Sequence, residues 1–198
     1  LRIVGYDRED LKAQVIDWSR MTPREFKRQD RRAVEELRRT GAHAPIEKQY
    51  VRKDGSRVWV LVGSAIIEGD SGVGFVLDLS GLKAADAALR EAHEEIGLAP
   101  GNVEVIGTLP THETITAFRV QPVLARVREP FAFRPEPGEV AEVFTVPYAH
   151  VTDPARFVTE GRHFRGQFRE FYTVPWGPYY IWGATARMLR VLADRVSR

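Results

Sequence analysis

The sequence predicts an α+β protein in which an antiparallel or mixed β-sheet is flanked by helices. Three observations predict it. Residues 22–39 and 179–196 repeat apolar side chains at helical spacing. Residues 47–51 and 57–62 alternate about Asp54–Gly55, a hairpin turn signal. A third helical stretch, closed by Gly97, separates these strands from a second group of strand-like runs.

Composition narrows the function classes. A chain of 198 residues forms one large domain or two small ones, and 43% apolar residues are enough for a core. There is no apolar run of membrane-spanning length and no signal peptide, so a soluble, cytoplasmic protein without a membrane partner is expected. The absence of cysteine excludes disulfides, zinc–thiolate sites and cysteine nucleophiles. A net charge of +2 gives no reason to expect nucleic acid as a partner. The chain opens at Leu1–Arg2–Ile3 without an initiator methionine, so a fragment or trimmed chain is expected.

The elements follow in order. Asp7 to Ile16 reads as a short helix. Thr22, Pro23 and Glu25 open the next helix, which should run to about Arg39 and stop at Gly41, with Phe26, Ala33, Val34 and Leu37 on its buried face. Its basic residues (Arg24, Lys27, Arg28, Arg31, Arg32, Arg38, Arg39) read as a solvated face, since Asp30, Glu35 and Glu36 interrupt them and no aromatic is interleaved. Strands are expected at 46–51, 57–67 and 73–79, then at 102–110, 115–127, 139–146 and 163–174. The last helix, 179–196, carries Ile181, Ala184, Met188, Leu189 and Leu192 as a core stripe.

The chemistry of the chain concentrates in Arg90–Glu91–Ala92–His93–Glu94–Glu95–Ile96–Gly97–Leu98. Glu91, Glu94 and Glu95 fall at i, i+3 and i+4, so a helix places their carboxylates on one face, about 5–6 Å apart at Cβ. Such charges repel unless a hard cation taking oxygen ligands, Mg²⁺ or Mn²⁺, sits among them. The alternative is an ordinary solvated face with one local ion pair. His93 points about 100° away from its neighbours and reads as packed or solvated.

The order of those residues resembles the second half of the Nudix box, R-E-U-x-E-E-x-G-U, with Ala92 smaller than usual at the first U. The resemblance implies that Arg90 orients the site, that Glu91 acts as base or metal ligand, and that Glu94 and Glu95 hold Mg²⁺ or Mn²⁺. The first half of the box would need glycine at 76 and glutamate at 82, where this chain has Val76 and Leu82. Phe75–Val76–Leu77–Asp78–Leu79–Ser80–Gly81 stands in place of the family's glycine-rich turn, so catalysis is expected to be impaired or lost. Ile106–Gly107–Thr108–Leu109–Pro110–Thr111, Pro137 to Pro147 and Tyr180 to Leu189 are similar to the coenzyme A pyrophosphatase branch of that family, over residues 86–198. This implies coenzyme A or another nucleoside diphosphate derivative as substrate, with Glu139 a further candidate for base. Arg119, Arg126 and Arg128 either line an anion pocket or form the wet face of a strand.

Gly5–Tyr6–Asp7, the hairpin Glu47 to Val60, and Asp78 to Ala85 resemble the latter two-thirds of a PAS domain, over residues 1–85. The first two strands of that family are missing, as are the N-terminal strands and glycine turn of the Nudix part. Neither flavin nor haem is expected: there is no cysteine for a flavin adduct, and His43, the one candidate haem ligand here, reads as a loop or surface residue. The two resemblances meet in one helix, Leu82 to Glu91, as in a chimera made by recombination in the laboratory or in nature. The PAS-like strands would then supply sheet partners that the Nudix part lacks, in one merged domain or a strand-sharing homodimer. The functional expectation is a recombined PAS/Nudix protein resembling a Mg²⁺-dependent pyrophosphohydrolase with impaired catalysis. The alternative is a PAS-type ligand-binding or dimerising module.

Overall fold

A computed structural model describes residues 1–68, 71–114, 119–164 and 166–197. The fold is α+β, and every strand pairing among the described residues is antiparallel. Two compact units divide the chain, Leu1–Lys83 and Ala84–Arg198.

The first unit opens with a 3-10 turn at Arg2–Val4 and the short helix α1, Arg8–Lys12. Asp7 and Asp10 form a capping box at its start. The helix expected to reach Ile16 stops early because the chain bends at Gln14, with φ +54°. Helix α2, Trp18–Met21, was not foreseen and is capped by Asp17. After a 3-10 turn at Arg24–Phe26 comes α3, Lys27–Thr40. Gly41 ends it at φ +80°, donating its N–H to Leu37 O, a conformation glycine takes without penalty.

Strands β1, Ile46–Val51, β2, Arg57–Glu68, and β3, Ser71–Asp78, form one sheet in the order β1-β2-β3. Gly55 at φ +82° makes the β1–β2 turn, where the Asp54 carboxylate accepts from Ser56 N–H. Tyr50, Val58 and Val60 pack with Val4 and Met21 in the core of this unit. Lys48 joins that inner face, at the strand position two before Tyr50. Asp30, expected on a wet helix face, is instead buried and paired with it. β3 is an edge strand with all eight residues exposed.

Helix α4, Ser80–Ile96, starts where Asp78 accepts from Ser80 N–H. Its first four residues belong to the first unit and the rest to the second. Ala85 is buried, and Ala88, Leu89, Ala92 and Ile96 continue the half-buried stripe.

The second unit continues through a 3-10 turn at Pro100–Asn102 into β4, Val103–Thr108. Then come β5, His112–Glu113, β6, Arg119–Val120, and β7, Val123–Val127, paired as β4-β7 and β5-β6. The single strand expected over 115–127 is thus broken, because Pro122 has no N–H for the ladder; residues 115–118 lie outside the described residues. No strand forms at 139–146, which follows a turn at 137–139 with Gly138 at φ +97°. Tyr179 stacks on Phe144 at 3.7 Å and donates to Glu142, holding this irregular segment by side chains.

Helix α5, Tyr148–Val151, and a 3-10 turn at Pro154–Arg156 lead into β8, Val158–Phe164, and β9, Gln167–Thr173. These two form a hairpin where one strand was expected over 163–174, since Gly166 at φ +75° reverses the chain. Helix α6, Gly183–Val196, starts four residues later than expected, because residues 174–182 fold back on themselves: Val174 N–H donates to Ile181 O, and Trp176 and Tyr179 exchange both backbone bonds. Among the described residues each sheet takes its strands from one unit.

Candidate active site

The glutamates stand where helical spacing puts them. Arg90, Glu91, Glu94 and Glu95 are all exposed on the last turns of α4. Arg90 Nη1 donates to Glu94 Oε2 at 2.9 Å, an i,i+4 pair with both side chains more than half exposed. His93 is exposed as well, in line with the solvated reading.

The end of this helix is fixed tightly. Gly97 at φ +75° donates its N–H to His93 O at 3.0 Å, the single-bond left-handed cap. Leu98 N–H reaches Ala92 O, Arg134 N–H reaches Ile96 O and Glu136 N–H reaches Glu95 O. Carbonyls that a helix end leaves unpaired are therefore satisfied by one downstream segment. That segment leads to Glu139, whose N–H closes the turn on Glu136 O at 3.3 Å. The structure thus ties the loop of Glu139 to the helix of Glu91, Glu94 and Glu95 through backbone bonds. The Glu139 side chain is exposed. The signal for this tie was Gly97 itself, but nothing in the sequence named Arg134 and Glu136 as its partners.

As the side chains stand, no three of the described His, Asp or Glu residues converge closely enough to hold a metal ion. The donor chemistry nevertheless fits: three carboxylates on one helix face are the hard oxygen ligands that Mg²⁺ and Mn²⁺ take. Releasing an exposed i,i+4 pair such as Arg90–Glu94 costs only about 0.3–0.5 kcal/mol. A cation would hold Glu94 in its place at little expense.

The segment preceding the helix is differently engaged. Val76 pairs with Val62, Phe75 with Gly63 and Leu77 with Leu61 in the β2–β3 ladder, and Leu82 is 56% exposed. Arg119, Arg126 and Arg128 are exposed, and Arg126 pairs with Glu104 at 2.6 Å, which answers to the wet-face reading for that residue. The pair holds the Glu104 carboxyl below its usual range by hydrogen bonding and then by charge.

A cavity of about 810 Å³ in the second unit was not foreseen. Its walls come from β5, the β8–β9 hairpin and α6, and none of the glutamates of α4 lines it. Its signals were scattered over the aromatic and basic residues of three segments far apart in sequence.

The PAS fold family model matches residues 1–76, and the NUDIX domain model matches residues 74–168. The chain is 34% identical over 123 residues to the uncharacterized Nudix hydrolase NudL of Escherichia coli strain K12, and 35% identical over the same length to that of Salmonella paratyphi B. In both cases the match takes in 62% of this chain and 64% of the relative, so the chain spans less than two thirds of the relatives' length. Among the described residues no helix is long and apolar enough to cross a membrane. The chain thus matches a PAS fold model in its first part and a NUDIX domain model in its second, a chimera-like arrangement supported in the second part by similarity to Nudix hydrolases.

Proposed function

We propose that this protein is a Nudix-type pyrophosphohydrolase of impaired activity, with coenzyme A or a related nucleoside diphosphate derivative as its substrate class, working in the cytoplasm. In this reading a PAS-like segment spans residues 1–85 and an incomplete Nudix segment residues 86–198. One observation carries the reading: residues 75–78 are committed to the β2–β3 ladder. In the family a glycine-rich turn occupies this place and its backbone approaches the phosphates, whereas here the same backbone groups belong to a sheet.

Glu91, Glu94 and Glu95 would hold Mg²⁺ or Mn²⁺, which supplies Lewis acidity toward a phosphate oxygen and a more acidic water. Arg90, already within hydrogen-bond reach of Glu94, orients that carboxylate. Glu91 and Glu139 are the groups able to accept a proton. What the chain does not supply is a rigid cradle for the diphosphate. Misplacement by about 1 Å is enough to lower a rate by roughly 100-fold.

The test is hydrolysis of coenzyme A and of ADP-ribose with Mg²⁺ or Mn²⁺, by the full chain and by Glu95→Gln. Weak turnover that falls at least tenfold in Glu95→Gln supports the reading, and no turnover above background refutes the hydrolase. Vigorous turnover that vanishes in Glu95→Gln refutes the impairment.

A second reading, that the first unit serves as a dimerising module, is favoured by β3. Its edge has no strand partner among the described residues, and Val73, Phe75, Val76 and Leu77 are each more than a third exposed. A strand of this kind recruits another strand, and a homodimer would cover it.

A further inference from the structure

The 810 Å³ cavity of the second unit lies apart from the glutamate helix, and its size is that of a small-molecule site. Its wall on α6 is one helical stripe: Gly183 and Ala184, then Arg187, then Arg190 and Val191, then Asp194. The lining also includes Phe171 and Tyr172 of β9, and Trp182.

Three features of the lining specify chemistry. Phe171 and Trp182 meet edge to face at 5.6 Å, Trp182 remains 53% exposed, and the exposed Arg162 guanidinium lies 5.7 Å and 6.0 Å from the two ring centres, where a ligand ring would displace it. Arg190 is already satisfied, paired with Asp194 at 2.9 Å and lying over the Tyr172 ring at 5.5 Å. Arg187 has no ion-pair partner among the described residues. Its charge is felt across the cavity by His112, whose pKa is lowered by burial first and by Arg187 second. The Arg187 guanidinium, the His112 imidazole and the Phe171 and Trp182 rings line one volume. Glu170, also without an ion pair among the described residues, adds an acceptor on the opposite wall.

We propose that this cavity is a binding site for a planar aromatic ligand that carries an anionic group, the ring lying against Trp182 and Phe171 and the anion on Arg187. An amino-substituted ring would also satisfy Glu170. The site is separate from the carboxylates of α4 and does not depend on their activity.

The test is fluorescence titration of the full chain with three probes: AMP, which offers both groups, adenosine, which has the ring alone, and inorganic phosphate. Trp182→Phe identifies the reporter among the four tryptophans. Saturable quenching by AMP is expected, weaker by at least tenfold for adenosine and for phosphate. With divalent cations removed by EDTA, so that the carboxylates of α4 hold no metal, Arg187→Ala should weaken AMP at least tenfold, and Arg187→Lys less. Far-UV circular dichroism checks that each variant is folded, and the lysine variant stands in if the alanine one is not. Absence of saturable AMP binding overturns the proposal. So does AMP affinity that survives in folded Arg187→Ala, or equal affinity for adenosine. If Ala184→Leu raises the melting temperature while AMP does not bind, the cavity is a packing gap and the proposal fails.

Discussion

Replacing Lys48 by methionine is the sharpest test of how the first unit is held together. Lys48 Nζ lies 2.5 Å from Asp30 Oδ1 and 3.2 Å from Thr22 Oγ1, with side-chain exposures of 2% for Lys48 and 7% for Asp30. The Tyr50 and Trp18 rings stand 4.6 Å and 5.6 Å from the ammonium. Burial holds the Lys48 pKa below its ordinary value even against the pull of Asp30, so desolvation outweighs the attraction. The pair is therefore poor in net stability but costly to break. Lys48→Met leaves the Asp30 carboxylate buried with only the Thr22 hydroxyl donating to it, at 2.8 Å. The expected loss is about 3–5 kcal/mol, and Lys48→Met/Asp30→Leu should recover most of it. The assay is urea unfolding followed through Trp18 and Trp59 in a Trp176→Phe/Trp182→Phe background, with slopes compared to exclude changes in the denatured state. A loss below about 1 kcal/mol for Lys48→Met, or additive losses in the double variant, would refute the reasoning.

Three further outcomes follow from the same geometry. Burial, and then the charge of Asp30, push the Tyr50 hydroxyl up to about 12. Because the folded value lies above the unfolded value of 10.0, the native state keeps a proton the unfolded chain loses. That contribution, on the order of 2–3 kcal/mol, is fully present below pH 10 and is lost between pH 10 and about 12. Alkaline unfolding curves for wild type and Tyr50→Phe, which share Lys48, should converge below pH 10 in slope and diverge above it. Gly97→Ala forces φ +75° on a residue with a Cβ that would meet Arg134 Cβ at 3.1 Å. It should cost about 1–2 kcal/mol and lower the melting temperature by several degrees; an unchanged melting curve would mean that the helix end is not fixed as described. Phe75→Lys places a charge on the exposed edge strand and should shift the mass from light scattering toward the monomer; equal concentration dependence in both proteins would remove β3 from the interface.

Much of the fold was legible because local signals agreed with tertiary packing. Asp54–Gly55 fixed a hairpin, Gly41 and Gly97 ended helices, and the glutamates fell on one exposed face. The misses have identifiable causes. Asp30 looked like a solvated charge in a basic helix, because its partner lies 18 residues away on an inward strand position. Lys48 alternates with Tyr50, which was the available clue. The break near Pro122 was signalled by its missing N–H, whereas the hairpin at Gly166 competed with an uninterrupted β-like run. Residues 139–146 have β-branched side chains but are held by the Phe144–Tyr179 stack, a contact across 35 residues that no local pattern reveals. The helix of the candidate site could be read directly, while the backbone bonds from Arg134 and Glu136 that anchor it could not.

The proposal that Glu91, Glu94 and Glu95 of α4 bind a hard cation is tested most directly by Mn²⁺ titration. Water-proton relaxation would be recorded on the full chain and on Glu94→Gln/Glu95→Gln, with no substrate present. Saturable Mn²⁺ binding that weakens at least tenfold in the variant, about 1.4 kcal/mol or more, is the predicted result. Equal binding in the two proteins would contradict it, and would leave the three carboxylates of α4 as an ordinary solvated face.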